Sequence, residues 1–94
     1  MKRTFVYEFD EDFRNSVTFQ YSLEEDETIS TSVEGNAPFL YLNRAAMITL
    51  AKILIKMAYG TYDKGFHVHL HKDFNADLPD CLTVLLQGSE PLRA

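Results

Sequence analysis

Residues 43–60, NRAAMITLAKILIKMAYG, are followed after four residues by 65–71, GFHVHLH, and these two stretches decide the fold. The first opens on Asn43, whose side chain suits the free N–H groups of a helix start, and ends at Gly60 with no Gly or Pro between. It therefore reads as a helix over 43–59. At 100° per residue, Ala46, Met47, Leu50, Ala51, Ile53, Leu54, Met57 and Ala58 form one apolar arc of about 160°, which is expected to lie on a sheet. Ile48, Ile55 and Tyr59 fall outside that arc and extend the apolar surface around the helix flank, either as a partner patch or as ground covered by a loop.

The second stretch alternates. In a strand, successive side chains point to opposite faces, so Phe66, Val68 and Leu70 share one face and His67, His69 and His71 the other. With the apolar face on the helix, the imidazoles occupy the open face of the sheet. Two histidines two residues apart are close enough to converge on one zinc-like ion at about 2.0 to 2.1 Å each. Continued parity adds Asp73, which makes His67, His69, His71 and Asp73 a candidate metal set, and Asp63, Asp77 and Asp80 are further carboxylates nearby in sequence. The same stripe also reads as a solvated or partner-facing surface.

Outward from this centre, the apolar patterning predicts strands at 4–9, 16–23, 28–34 and, as a short apolar run between Pro38 and the helix start, 39–42, and at 66–71 and 81–87 after the helix. Segment 16–23 is the clearest, with Val17, Phe19, Tyr21 and Leu23 inward, whereas 28–34 suits an edge strand. A right-handed crossover through the helix would make 39–42 and 66–71 parallel neighbours. The expectation is one domain over 1–94 of the α+β class: a two-layer sandwich ordered ββββαββ, with a mostly antiparallel sheet of five to six strands and one helix on one face.

Composition narrows the function. The 94 residues are 46 % hydrophobic, with seven Phe and five Tyr, which supplies material for a core without disulfides. The lone Cys81, in DCLTVLLQ, reads as a packing residue. Formal charge is −5, with acidic runs at Asp10, Glu11, Asp12 and at Glu24, Glu25, Asp26, Glu27. Such a surface repels phosphate backbones and favours a basic protein partner over nucleic acid. No signal-peptide pattern and no apolar run of ~20 residues is present, so a cytoplasmic, non-membrane protein is expected. There is no Gly-rich phosphate loop, G-x-S-x-G elbow or HExxH, and Cys81 has no adjacent base, so neither enzyme chemistry nor a cofactor is expected.

Read together, Asn43, Arg44, Leu50, Ala51, Leu54, Ala58, Gly65, His67, His69 and Leu70 match an Asn-Arg helix opening, a Leu-Ala repeat and a Gly-x-His-x-His-Leu strand. This pattern, over the C-terminal half of the chain, resembles the immunity protein 32 family of bacterial polymorphic toxin systems. The chain departs from it at Ala45 and Ala46, where Glu-Gly often stands, and at His71, where an acidic residue is usual. The resemblance implies a small protein that neutralises a toxin by binding it. The residues expected to meet that partner are Arg44, His67, His69 and His71, together with Glu24, Glu25, Asp26 and Glu27. A metal-binding domain and a homodimer pairing through an edge strand or through Ile48, Ile55 and Tyr59 are the alternative expectations.

Overall fold

A computed structural model describes residues 1–9 and 19–88. Its described elements are β1 (Ile29–Glu34), β2 (Ala37–Leu42), α1 (Arg44–Tyr59), β3 (His67–His71), a 3-10 turn at Lys72–Phe74 and β4 (Asp80–Leu85). The strands form two separate antiparallel pairs, β1 with β2 and β3 with β4. The class is α+β, but among the described residues the expected single five-to-six-stranded sheet is replaced by these two separate pairs. Segment 4–9 forms no ladder, and of 16–23 only 19–23 is described, also without one. Alternation specifies which side chains share a face and leaves the pairing partner unspecified; Phe5 and Val6 are both exposed, so here even the face is not used. The expected parallel pairing of 39–42 with 66–71 also fails, because those segments belong to different hairpins.

The first hairpin turns at Gly35 and Asn36, with Glu34 opposite Ala37. Gly35 takes φ +62°, as the first central position of a type II′ turn requires. Pro38 lies within β2 opposite Val33, a position that an outer strand of a two-stranded sheet tolerates. The base of this hairpin is anchored by Ile29, which is fully buried, while Val33, Phe39, Leu40 and Tyr41 remain exposed.

Helix and second hairpin meet in one small core of Ile29, Ile53, Met57, Val68 and Leu70, with Phe19, Tyr21, Leu50 and Phe74 packed against it. The buried stripe of α1 runs through Ala46, Thr49, Ile53, Lys56 and Met57. It is rotated by roughly 90° from the arc expected on apolarity. Met47 and Leu54, expected inside, are exposed, and the polar Thr49 and Lys56 take their place. Both are satisfied there: the Thr49 hydroxyl donates to Glu27 Oε2 at 2.6 Å, and Lys56 Nζ donates to the Gln20 carbonyl at 2.7 Å while lying 4.9 Å from the Phe19 ring centre.

The two hairpins lie side by side without a shared ladder. The Ile29 N–H donates to Asp73 Oδ1 at 3.0 Å, and the Thr31 hydroxyl donates to the Cys81 carbonyl at 3.0 Å. Side chains thus join β1 to the second hairpin where backbone bonds would have made one sheet.

Candidate functional site

Asn43 is the cap that its residue type announces, and it does more. Its Oδ1 accepts from the Ala46 N–H at 2.9 Å and from the Thr28 N–H at 3.1 Å, while its Nδ2 donates to the Asp26 carbonyl at 2.6 Å. One amide therefore starts the helix and ties the acidic loop to it. Within that loop Glu27 is buried, and its Oε2 accepts from the Glu24 N–H and the Thr49 hydroxyl, each at 2.6 Å. Burial acts to raise the Glu27 carboxyl. Bonds from Thr49 and from the backbone N–H groups of Glu24 and Glu27, with the charge of Lys52, outweigh it and hold the group below its ordinary value. Glu27 is consequently a fastening of the fold and leaves the set of partner-facing residues. Glu24 pairs with Lys52, and Glu24, Glu25 and Asp26 are exposed.

Arg44 occupies the first helical position, is exposed, and meets no hydrogen-bond or ion-pair partner among the described residues. Along β3, Val68 and Leu70 are buried, whereas His67 and His69 are exposed and His71 is half-buried, as period two requires. His67 Nδ1 lies 3.1 Å from the Gly65 carbonyl, His69 Nδ1 3.0 Å from Thr83 Oγ1, and His71 Nδ1 2.7 Å from the Leu78 carbonyl.

Asp73 does not continue the stripe. The strand stops at His71, the chain takes φ +53° at Asp73, and its carboxylate turns to the Ile29 N–H. The carboxylate that does reach the histidine face is Asp80, with Oδ1 3.1 Å from His71 Nδ1 and Oδ2 3.6 Å from His69 Nδ1. A register shift between Leu70 and His71 makes Cys81 the extra residue of a bulge and sets Asp80 opposite His71. Without the bulge, parity would place Cys81 there. Among the described residues no three His, Cys, Asp or Glu gather as one ion would need, so His67, His69, His71 and Asp73 do not assemble as a set.

Other sites are chemically quiet. Burial, with the charges of Asp73 and Asp80, pushes the Cys81 thiol up, away from a reactive thiolate. An open cleft of about 670 Å³ is lined by Tyr7, Glu8, Phe9, Gln20, Tyr21, Ser22 and Lys56, none of them a candidate residue. No helix among the described residues is long and apolar enough to cross a membrane.

Sequence reasoning found part of a surface, the flank of Ile48, Ile55 and Tyr59, and missed that Met47 and Leu54 belong to it. The outward side of α1 carries Met47, Ile48, Leu54 and Tyr59, all exposed, in a seam with the half-buried Ala51, Ile55 and Ala58. The signal was present as a helix apolar nearly all round, which can be satisfied only by burial on a second side. No family model, curated protein or solved structure matches this chain.

Proposed function

We propose that this chain is a non-enzymatic protein-binding module that neutralises a toxin by occupying it. One observation carries the binding reading: the described residues leave more large apolar side chains exposed than they bury, and several of these align along the back of α1. A seam of that kind is what an interface covers. Exposed Phe39, Leu40 and Tyr41 on β2 add a second apolar element of the type enriched in interfaces. The identity of the partner rests on the resemblance of the Asn-Arg helix and Gly-x-His-x-His-Leu strand to immunity protein 32. Arg44, Glu24, Glu25 and Asp26, at the N-terminal end of α1, then supply polar contacts that select the partner, and a net charge of −5 suits a basic toxin. His67, His69 and His71 lie on the face of β3 turned away from α1 and would meet that partner only through a second contact.

The test is growth rescue in cells expressing a candidate basic toxin cloned from the genes flanking that of this chain, with measurement of complex formation by the purified proteins. Wild type should restore growth and form a stoichiometric complex. A Met47→Asp, Leu54→Asp double variant should lose at least about tenfold in affinity, since two desolvated apolar contacts of about 1 kcal/mol or more are replaced by charges. Its thermal midpoint should hold, because both side chains already face solvent. Absence of any complex with wild type would refute the toxin assignment. A wild-type chain whose solution mass is that of a dimer, abolished by the same substitutions, would assign the seam to self-association.

A further inference from the structure

Protein binding through α1 leaves the chemistry of the β3 histidines unused. A carbonyl oxygen only accepts, so the bonds to Gly65 and Leu78 assign a proton to Nδ1 of His67 and His71. Thr83 Oγ1 at 3.0 Å and Asp80 Oδ2 at 3.6 Å favour the same tautomer at His69. In each neutral ring the lone pair then lies on Nε2. This is the arrangement of metal-ligating imidazoles, in which the second nitrogen donates to a backbone or side-chain oxygen that fixes tautomer and ring orientation.

Spacing agrees with that chemistry. The His67 and His69 ring centroids are 4.9 Å apart, with planes at 86°. Two imidazoles on one ion, with each nitrogen about 2.0 to 2.1 Å from it and each ring centre about 1.1 Å further, have centroids roughly 4.5 Å apart at a right angle and roughly 5.2 Å apart at the tetrahedral angle. The observed separation lies between these limits. His71 differs, because its Nδ1 is shared between the Leu78 carbonyl and Asp80 Oδ1 and its side chain is less exposed than that of His69.

We propose that His67 and His69 form a two-histidine clamp that binds one divalent late-transition-metal ion through their Nε2 atoms. Imidazole nitrogens favour zinc, nickel or copper over magnesium and calcium, which take oxygen ligands. With no third His, Cys, Asp or Glu assembled among the described residues, the remaining positions fall to water or to a docked molecule. The site is therefore open, unlike a closed structural zinc site.

Calorimetric titration of the intact chain with zinc chloride and nickel chloride, and with magnesium chloride as control, tests this. One saturable equivalent of zinc and of nickel is expected, and none of magnesium. His67→Ala and His69→Ala should each weaken zinc binding by more than about tenfold, and Thr83→Val, which removes the acceptor holding the His69 ring, by about tenfold. His71→Ala should change it less than about twofold. Imidazole nitrogen NMR should show Nε2 of His67 and His69 shifting on zinc addition. Circular dichroism of each variant checks folding, and His67→Gln and His69→Gln replace any alanine variant that does not fold. The proposal is overturned by absence of saturable zinc binding, by binding that survives both single histidine variants, by metal-induced shifts at Nδ1, or by loss of binding in His71→Ala equal to that in the other two.

Discussion

Glu27 is a carboxylate inside an acidic run of four, yet its surroundings make it a different residue from its neighbours. Two donors at 2.6 Å converge on one of its oxygens, one of them a hydroxyl on the buried face of α1. Replacing Glu27 by Ala should cost about 1 to 3 kcal/mol at neutral pH, since a hydrogen-bonded charge is lost and the buried Thr49 hydroxyl is left without its acceptor. The folded-state value is lowered relative to the unfolded chain, so this contribution is complete above the ordinary carboxylate range, about 4.3, and disappears as pH falls through the lowered value. Urea unfolding at pH 7 and pH 3 checks this: wild type should lose more stability between the two than Glu27→Gln does. In sequence Glu27 is indistinguishable from Glu24, Glu25 and Asp26, because what separates them is the approach of Thr49, 22 residues away.

At the scale of elements, α1 shows how much of a helix local chemistry dictates. Asn43 begins it and the absence of Gly and Pro carries it through four turns, both legible in the letters alone. The reason for its end differs from the expected one. Gly60 has φ −77°, well away from the left-handed region, and its N–H donates to the Lys56 carbonyl at 2.9 Å. Glycine is required because a Cβ there would run into the ring of Tyr62 and come within 2.9 Å of that carbonyl. Tyr62 has no room to retreat, being buried and stacked on Phe66 at 4.4 Å. Gly60→Ala is therefore expected to destabilise the protein by about 1 to 3 kcal/mol through overpacking, read as a lower denaturation midpoint with an unchanged m-value. A left-handed cap would have predicted a penalty from backbone conformation instead. Thr49 and Lys56 teach the same lesson for the helix face: the buried stripe followed available partners, which hydropathy does not record.

At the scale of the molecule, the described residues form two hairpins and a helix around a small core, with a seam between the hairpins closed by side chains. Asp73 Oδ1 holds the N–H of the fully buried Ile29, so the seam depends on a carboxylate that the histidine parity had assigned elsewhere. Asp73→Ala should leave that buried donor unsatisfied at a cost of about 1 to 3 kcal/mol. Amide exchange should show where the cost falls: protection in β1 and β2 should drop, while Val68 and Leu70 in β3 keep theirs. Asp73→Asn, which retains an acceptor oxygen, should recover most of the loss. Equal loss of protection in both hairpins would mean that they unfold as a single unit.

The sequence by itself determined the helix and its N-cap, the inward parity of Val68 and Leu70 against the histidines, and the mixed class. Each of these is set within a few residues, by backbone conformational preference or by the period of the side chains. Only the tertiary structure decided that the strands divide into two hairpins, that Thr49 and Lys56 go inside while Met47 and Leu54 stay out, and that Asp80 instead of Asp73 meets the histidines. Those outcomes depend on contacts between residues far apart in the chain, and on a one-residue bulge that changes which side chains face each other.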